Sequence, residues 1–125
     1  MKSRSPARPT LVRPRLYLGS GIAVGPGKID LLRQVAETRS ISAAARAMGM
    51  TYKRAWLLIE SLNQGFGEPV VEASAGGKGG GGAHLTSLGE ALVARYASLE
   101  AALAGACMTE LGDLQALLPR PAGDV

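Results

Sequence analysis

The chain is poor in the residues that build reactive or metal sites. It has one cysteine, one histidine, one tryptophan and one phenylalanine among 125 residues. Cys107 alone closes no internal disulfide and builds no zinc site, and a reducing cytoplasm is the simpler setting for it. His84 stands between Ala83 and Leu85 with no neighbouring metal ligand. No apolar run approaches the roughly 18 residues of a membrane span, so no membrane partner is expected. A basic N-terminus without a following apolar stretch does not make a secretory signal. No nucleophile–base pair or catalytic carboxylate pair stands out. An enzyme is therefore disfavoured, and neither cofactor nor metal is expected.

Acid is missing from the start of the chain. Lys2, Arg4, Arg8, Arg13 and Arg15 have no carboxylate among them. With three prolines and no apolar periodicity, residues 1–14 read as a disordered basic arm. The whole chain has a net charge of +4 and a pI near 9.6, which suits a polyanionic partner. The rest is nearly balanced. Arg39, Arg46, Lys53, Arg54 and Lys78 crowd the centre, while acids outnumber arginines beyond His84. A basic face and an acidic back suit a DNA binder. Apolar content of 46% permits one small core, which a second subunit would help to bury.

The most informative stretch is Ile41 to Glu60, ISAAARAMGMTYKRAWLLIE. It reads as helix, tight turn, helix. Ala45 suits a close helix crossing, and Gly49 supplies a turn in which positive φ is cheap. Ala44, Met48, Met50, Ala55 and Leu58 fall where the two helices seal together. Such a unit lays its second helix in the major groove of double-stranded DNA. Ser40 or Ser42 suits the cap of the helix 41–48, and Thr51 that of the helix 52–64. A further helix is expected over 28–38, and a short strand over 16–24, after which Gly25-Pro26-Gly27 breaks the chain.

Rotation at about 100° per residue sorts the 52–64 helix. Ala55, Leu58, Ile59 and Leu62 face inward. Lys53, Leu57, Glu60 and Gln64 face outward, with Arg54 and Trp56 on the flanks. Lys53 is the first choice for a base or phosphate contact, and Arg54 for a phosphate on the groove wall. Leu57 is an apolar residue on an outward face. A thymine methyl would explain it, as would packing on a partner or on a wing. Tyr52 has a hydroxyl to offer phosphate, or half-buried packing to make at a helix end. Trp56 is expected in the core, because a duplex offers no unstacked base.

Residues 69–72 read as a strand, 73–82 as a glycine-rich turn and 83–85 as the return strand. Together they form a hairpin wing, with Lys78 and Gly79 at its tip. A phosphate loop would need Ser or Thr after Gly77-Lys78 and a helix after that, and both are missing. A GxGxxG match in polyglycine carries little information. From Thr86 or Ser87 a long helix follows. Its stripe of Leu88, Leu92, Tyr96, Leu99 and Leu103 suits either a dimer contact or the internal core. Residues 109–118 extend this helix or form another, ended by Pro119.

In combination the pieces SISAAA, YKRAW, EPVVE and GGKGGGGA followed by LT resemble the N-terminal DNA-binding domain of ModE-type molybdate-responsive regulators. The helix-turn-helix is in turn similar to that of LysR-type regulators. The resemblance covers about Leu16 to Leu103. It implies a winged helix that dimerises through helices flanking the reader, and transcriptional control of molybdenum-related genes. It places the reader at Thr51, Tyr52, Lys53 and Arg54, with Lys78 and its glycines in the wing. Arg39 stands where the family usually has glycine before Ser-Ile-Ser. Only about twenty residues follow the long helix, too few for the family's oxyanion-binding region. Molybdate binding by this chain is therefore not expected.

The expectation is a mostly α winged helix-turn-helix with a small β wing and a long C-terminal dimerisation helix. It divides into the arm 1–14, the DNA-binding domain 15–105 and a helical tail 106–125. The expected function is sequence-specific transcriptional regulation as a homodimer. Arg39, Ser42, Thr51, Tyr52, Lys53, Arg54, Leu57, Lys78 and Gly79 are the expected DNA contacts. The alternatives are a nonspecific architectural DNA binder and a winged-helix protein-interaction module.

Overall fold

The computed structural model describes residues 12–19, 21–74 and 82–119. Strands β1 (Leu16–Leu18) and β2 (Ile22–Val24) pair antiparallel, with Tyr17 opposite Ala23. The stretch expected as one strand is thus a hairpin. Helices α1 (Pro26–Thr38), α2 (Ile41–Ala47) and α3 (Tyr52–Phe66) follow. Strands β3 (Val71–Ala73) and β4 (Ala83–Leu85) form a second antiparallel pair, and α4 (Ser87–Ala106) and α5 (Met108–Gln115) end the described chain.

Helix α1 begins earlier than its apolar pattern suggests. Pro26 occupies the first turn, where its fixed φ suits the helix and its missing N–H would have had no partner. Ile29, Leu31, Leu32 and Val35 form the floor of the core. Ala44 and Ala45 of α2, and Ala55, Ile59 and Leu62 of α3, close over them. The small side chains at 44, 45 and 55 let the helices approach closely. Between α2 and α3 the chain turns at Gly49, whose φ is 69°. The Met50 amide donates to Ala45 O at 3.0 Å and locks the turn.

Helix α4 packs through Leu88, Leu92 and Val93 against this core. Tyr96 is 3% exposed and donates its hydroxyl to Pro14 O at 2.5 Å. It therefore lies inside its own chain, and the expected dimer stripe loses its middle member. Burial raises the Tyr96 pKa above the usual phenol value, and the Glu100 charge adds to the effect.

Residues 12–14, expected in a free arm, are also held to the body. Arg13 reaches Asp30 at 2.6 Å and Glu100 at 3.2 Å, and Arg33 reaches the same two carboxylates at 3.1 and 3.4 Å. This four-membered clasp joins the N-terminal segment, α1 and α4. Burial works against the Asp30 charge, but Arg13 and Arg33 outweigh it and hold the carboxyl below the usual carboxylate range. Among the described residues, no single helix is long and apolar enough to cross a membrane. Helices α4 and α5 are long and apolar enough only when taken together, and they are bent by 70° at the break between them.

Candidate nucleic-acid interface

The reading face is built from two capped helix starts and the base of a hairpin. Ser40 is the cap of α2: its hydroxyl oxygen accepts from the Ala43 amide at 3.0 Å. Thr51 does the same for α3, accepting from the Arg54 amide at 3.1 Å. Each cap satisfies an amide that helix geometry leaves without a partner. Ser42, the other expected cap, is exposed in the first turn of α2 instead.

Arg39 makes the turn between α1 and α2 with φ 60° and ψ 30°, a left-handed conformation that favours glycine. Its amide donates to Val35 O at 2.8 Å, and its carbonyl accepts from the Ala83 amide at 3.0 Å. The wing is thus tied at its base to the helix-turn-helix. A side chain at Gly82 would press to 2.7 Å from Arg39 O, so this approach requires glycine. The Ser74 amide donates to Gly82 O at 2.9 Å and continues the β3–β4 ladder.

A groove of about 170 Å³ runs between these elements, lined by Ser40, Ile41, Ser42, Tyr52, Gly82 and Ala83. Its polar groups can donate to an anionic oxygen. The Ser42 and Tyr52 side chains stand at its edge, both on exposed residues. Lys53 and Arg54 are exposed beyond it, with Arg39 and Arg46 on adjoining turns. Among the described residues, none of these four cations is in an ion pair or a side-chain hydrogen bond. Such an array of unneutralised donors suits phosphates.

Leu57 is 52% exposed on the outer side of α3. Trp56 is 45% exposed, so it is not the core residue its type suggested. It lies one turn beyond Tyr52 on the same flank. Lys78 and Gly79, expected at the wing tip, lie outside the described residues. His84 faces Ser74 Oγ at 3.1 Å and Glu72 at 3.7 Å, on the far strand of the wing. No group of three or more His, Cys, Asp or Glu among the described residues is placed to hold a metal ion. Sequence reasoning missed the clasp of Arg13, Asp30, Arg33 and Glu100. Only the spacing of Asp30 and Arg33 within one helical turn hinted at it.

Three helices, the last exposed, cationic and preceded by a tight turn, with a hairpin tied to the turn between the first two, define a winged helix-turn-helix. The model of the bacterial regulatory helix-turn-helix proteins of the lysR family matches residues 27–90, and the chain belongs to that family. Relatives narrow the kinship. The molybdenum-pterin-binding protein MopB of Rhodobacter capsulatus is 46% identical over 85 residues, which is 68% of this chain and 32% of MopB. The transcriptional regulator ModE of Yersinia pestis is 46% identical over 81 residues, 65% of this chain and 31% of that one. The chain thus spans about a third of the length of these relatives. Among solved structures, the DNA-binding domain of CbnR in complex with DNA superposes with a TM-score of 0.53. It is 19% identical and covers 71% of this chain and 95% of that domain, a likeness of fold.

Proposed function

We propose that this chain reads duplex DNA sequence-specifically as a homodimer and regulates molybdenum-related genes. The observation that carries the reading is the cationic face: Arg39, Arg46, Lys53 and Arg54 surround the start of α3 with no internal partner among the described residues. Helix α3 enters the major groove by its N-terminal end, as helix-turn-helix readers do. Thr51, Tyr52 and Lys53 lead, and Lys53 reaches base edges or phosphate. Arg54, Arg39 and Ser42 grip the backbone. Lys78 and Gly79 add the wing's contact to the backbone or the minor groove. The molybdenum assignment rests on kinship with MopB and ModE.

The dimer contact is assigned to α4. Leu88 and Leu92 are shared with the core, while half-buried Leu99 and Leu103 fall outside the buried cluster and are free to meet a partner. Tyr96 has no part in that contact. Two α3 helices would then enter successive major grooves about 34 Å apart on a palindromic site. We assign DNA and not molybdate as the ligand of these residues.

The test is a titration against duplex from the protein's own upstream region and against a scrambled duplex, across a salt series. A preference of about a thousandfold or more establishes operator reading. Equal and steeply salt-dependent binding would overturn specificity in favour of an architectural role. A rise in thermal stability on adding molybdate would overturn the ligand assignment.

A further inference from the structure

We infer that Leu57 reads the C5-methyl group of thymine, so that each half-site carries a thymine opposite the second turn of α3. This rests on the operator-reading role proposed above and names what one position of that operator must be.

Leu57 lies four residues after Lys53, about 40° away around α3, and about 160° from buried Ala55 and Ile59. It therefore points along the same outward direction as the lysine. It is 52% exposed, whereas Leu62 on the inner face is 1% exposed. The base of the wing does not account for it. Gly82 and Ala83 line their groove with Tyr52, and Tyr52 is about 140° from Leu57 around the helix. A protein partner suits the position poorly, because Lys53 and Arg54 lie within one turn of it and lysine is depleted from the centres of protein interfaces. The floor of a major groove meets both demands. Phosphates and base acceptors suit the cations, and the thymine methyl is the one apolar group presented there. Leu57 has no hydrogen-bonding group, so a methyl contact is the base discrimination its side chain supports.

The experiment selects the preferred site of the whole chain from a pool of random duplexes. Each thymine of that site is then replaced by uracil, which removes only the methyl group. Burying one such group corresponds to about 0.8 kcal/mol, or about fourfold in affinity. One thymine position per half-site is expected to lose about fourfold on replacement, and about sixteenfold when both half-sites are changed. Leu57→Ala should bind thymine and uracil sites equally, whereas Lys53→Ala should keep the difference. Uracil tolerated at every thymine overturns the inference and leaves operator reading intact. A thymine preference that survives in Leu57→Ala overturns it as well. A pool with no enriched sequence overturns the operator reading and this inference together.

Discussion

Arg13 and Arg33 each sit between Asp30 and Glu100, while Arg39, Arg46 and Arg54 face solvent with no described partner. The two groups have the same chemistry in different surroundings. Between α1, α4 and the N-terminal segment, carboxylates neutralise the guanidinium groups and the pairing holds the chain together. Around α3 no carboxylate among the described residues pairs with these cations, so the charge remains for a ligand. Net charge hides this distinction. A cation counts towards DNA binding only where the fold leaves it without a partner.

Substitutions on the reading side should sharpen that contrast most. Lys53→Ala is expected to lose about 1–3 kcal/mol of operator binding and part of its discrimination. Arg54→Ala should weaken all duplexes evenly and reduce the salt slope by about one. Both should keep thermal stability within about 0.5 kcal/mol of the parent, since neither side chain has a described partner. Binding isotherms over a salt series, with melting curves alongside, check this. A large loss of stability in either variant would place these cations in the fold after all.

The clasp should show the converse. Asp30→Asn is expected to cost about 1 kcal/mol of stability, a modest figure because the four groups are partly exposed, and to leave DNA affinity unchanged. The effect should vanish in acid. Asp30 has a lowered pKa in the fold, so its contribution is complete above the unfolded value of about 3.9 and is lost as pH falls through the folded value. Urea midpoints for parent and variant, taken from neutral pH downwards, should differ at neutral pH and converge once the pH falls below the folded value. A difference that persists in acid would assign the effect to packing rather than charge.

Arg39 has a place on both sides of the comparison and should give the smallest change. Its left-handed backbone is strained, so Arg39→Gly should gain up to about 1 kcal/mol of stability. The same change should weaken DNA binding through the lost charge. Opposite signs in melting and binding would confirm both roles. Weaker melting in Arg39→Gly would show that its side chain supports the turn.

Local chemistry made much of this legible in the sequence. The caps at Ser40, Thr51 and Thr86, the turn at Gly49 and the sealing residues Ala44, Ala45 and Ala55 depend on neighbours a few positions away. The first hairpin was not legible because Gly19 and Gly21 read as interruptions of a strand. Their φ values of 47° and 94° make them the turn itself. The place of Tyr96 was left open for another reason. Periodicity marks the apolar side of α4 but does not say whether that side meets its own chain or a second one. Its partner, the Pro14 carbonyl, lies 82 residues away. Trp56 was expected inside because a duplex offers no unstacked base, yet its flank of α3 faces outward. The clasp draws on positions 13, 30, 33 and 100, which no short window contains.

Thr86 joins parts that were introduced separately. Its hydroxyl oxygen accepts from the Gly89 amide at 3.1 Å as the cap of α4 and donates to Pro69 O at 2.8 Å. Its amide donates to Val70 O at 3.0 Å. One residue is thus the axle between the entry to β3, the exit from β4 and the first turn of α4. In a dimer built on α4, the angle between subunits and the tilt of each wing would be geared together through it.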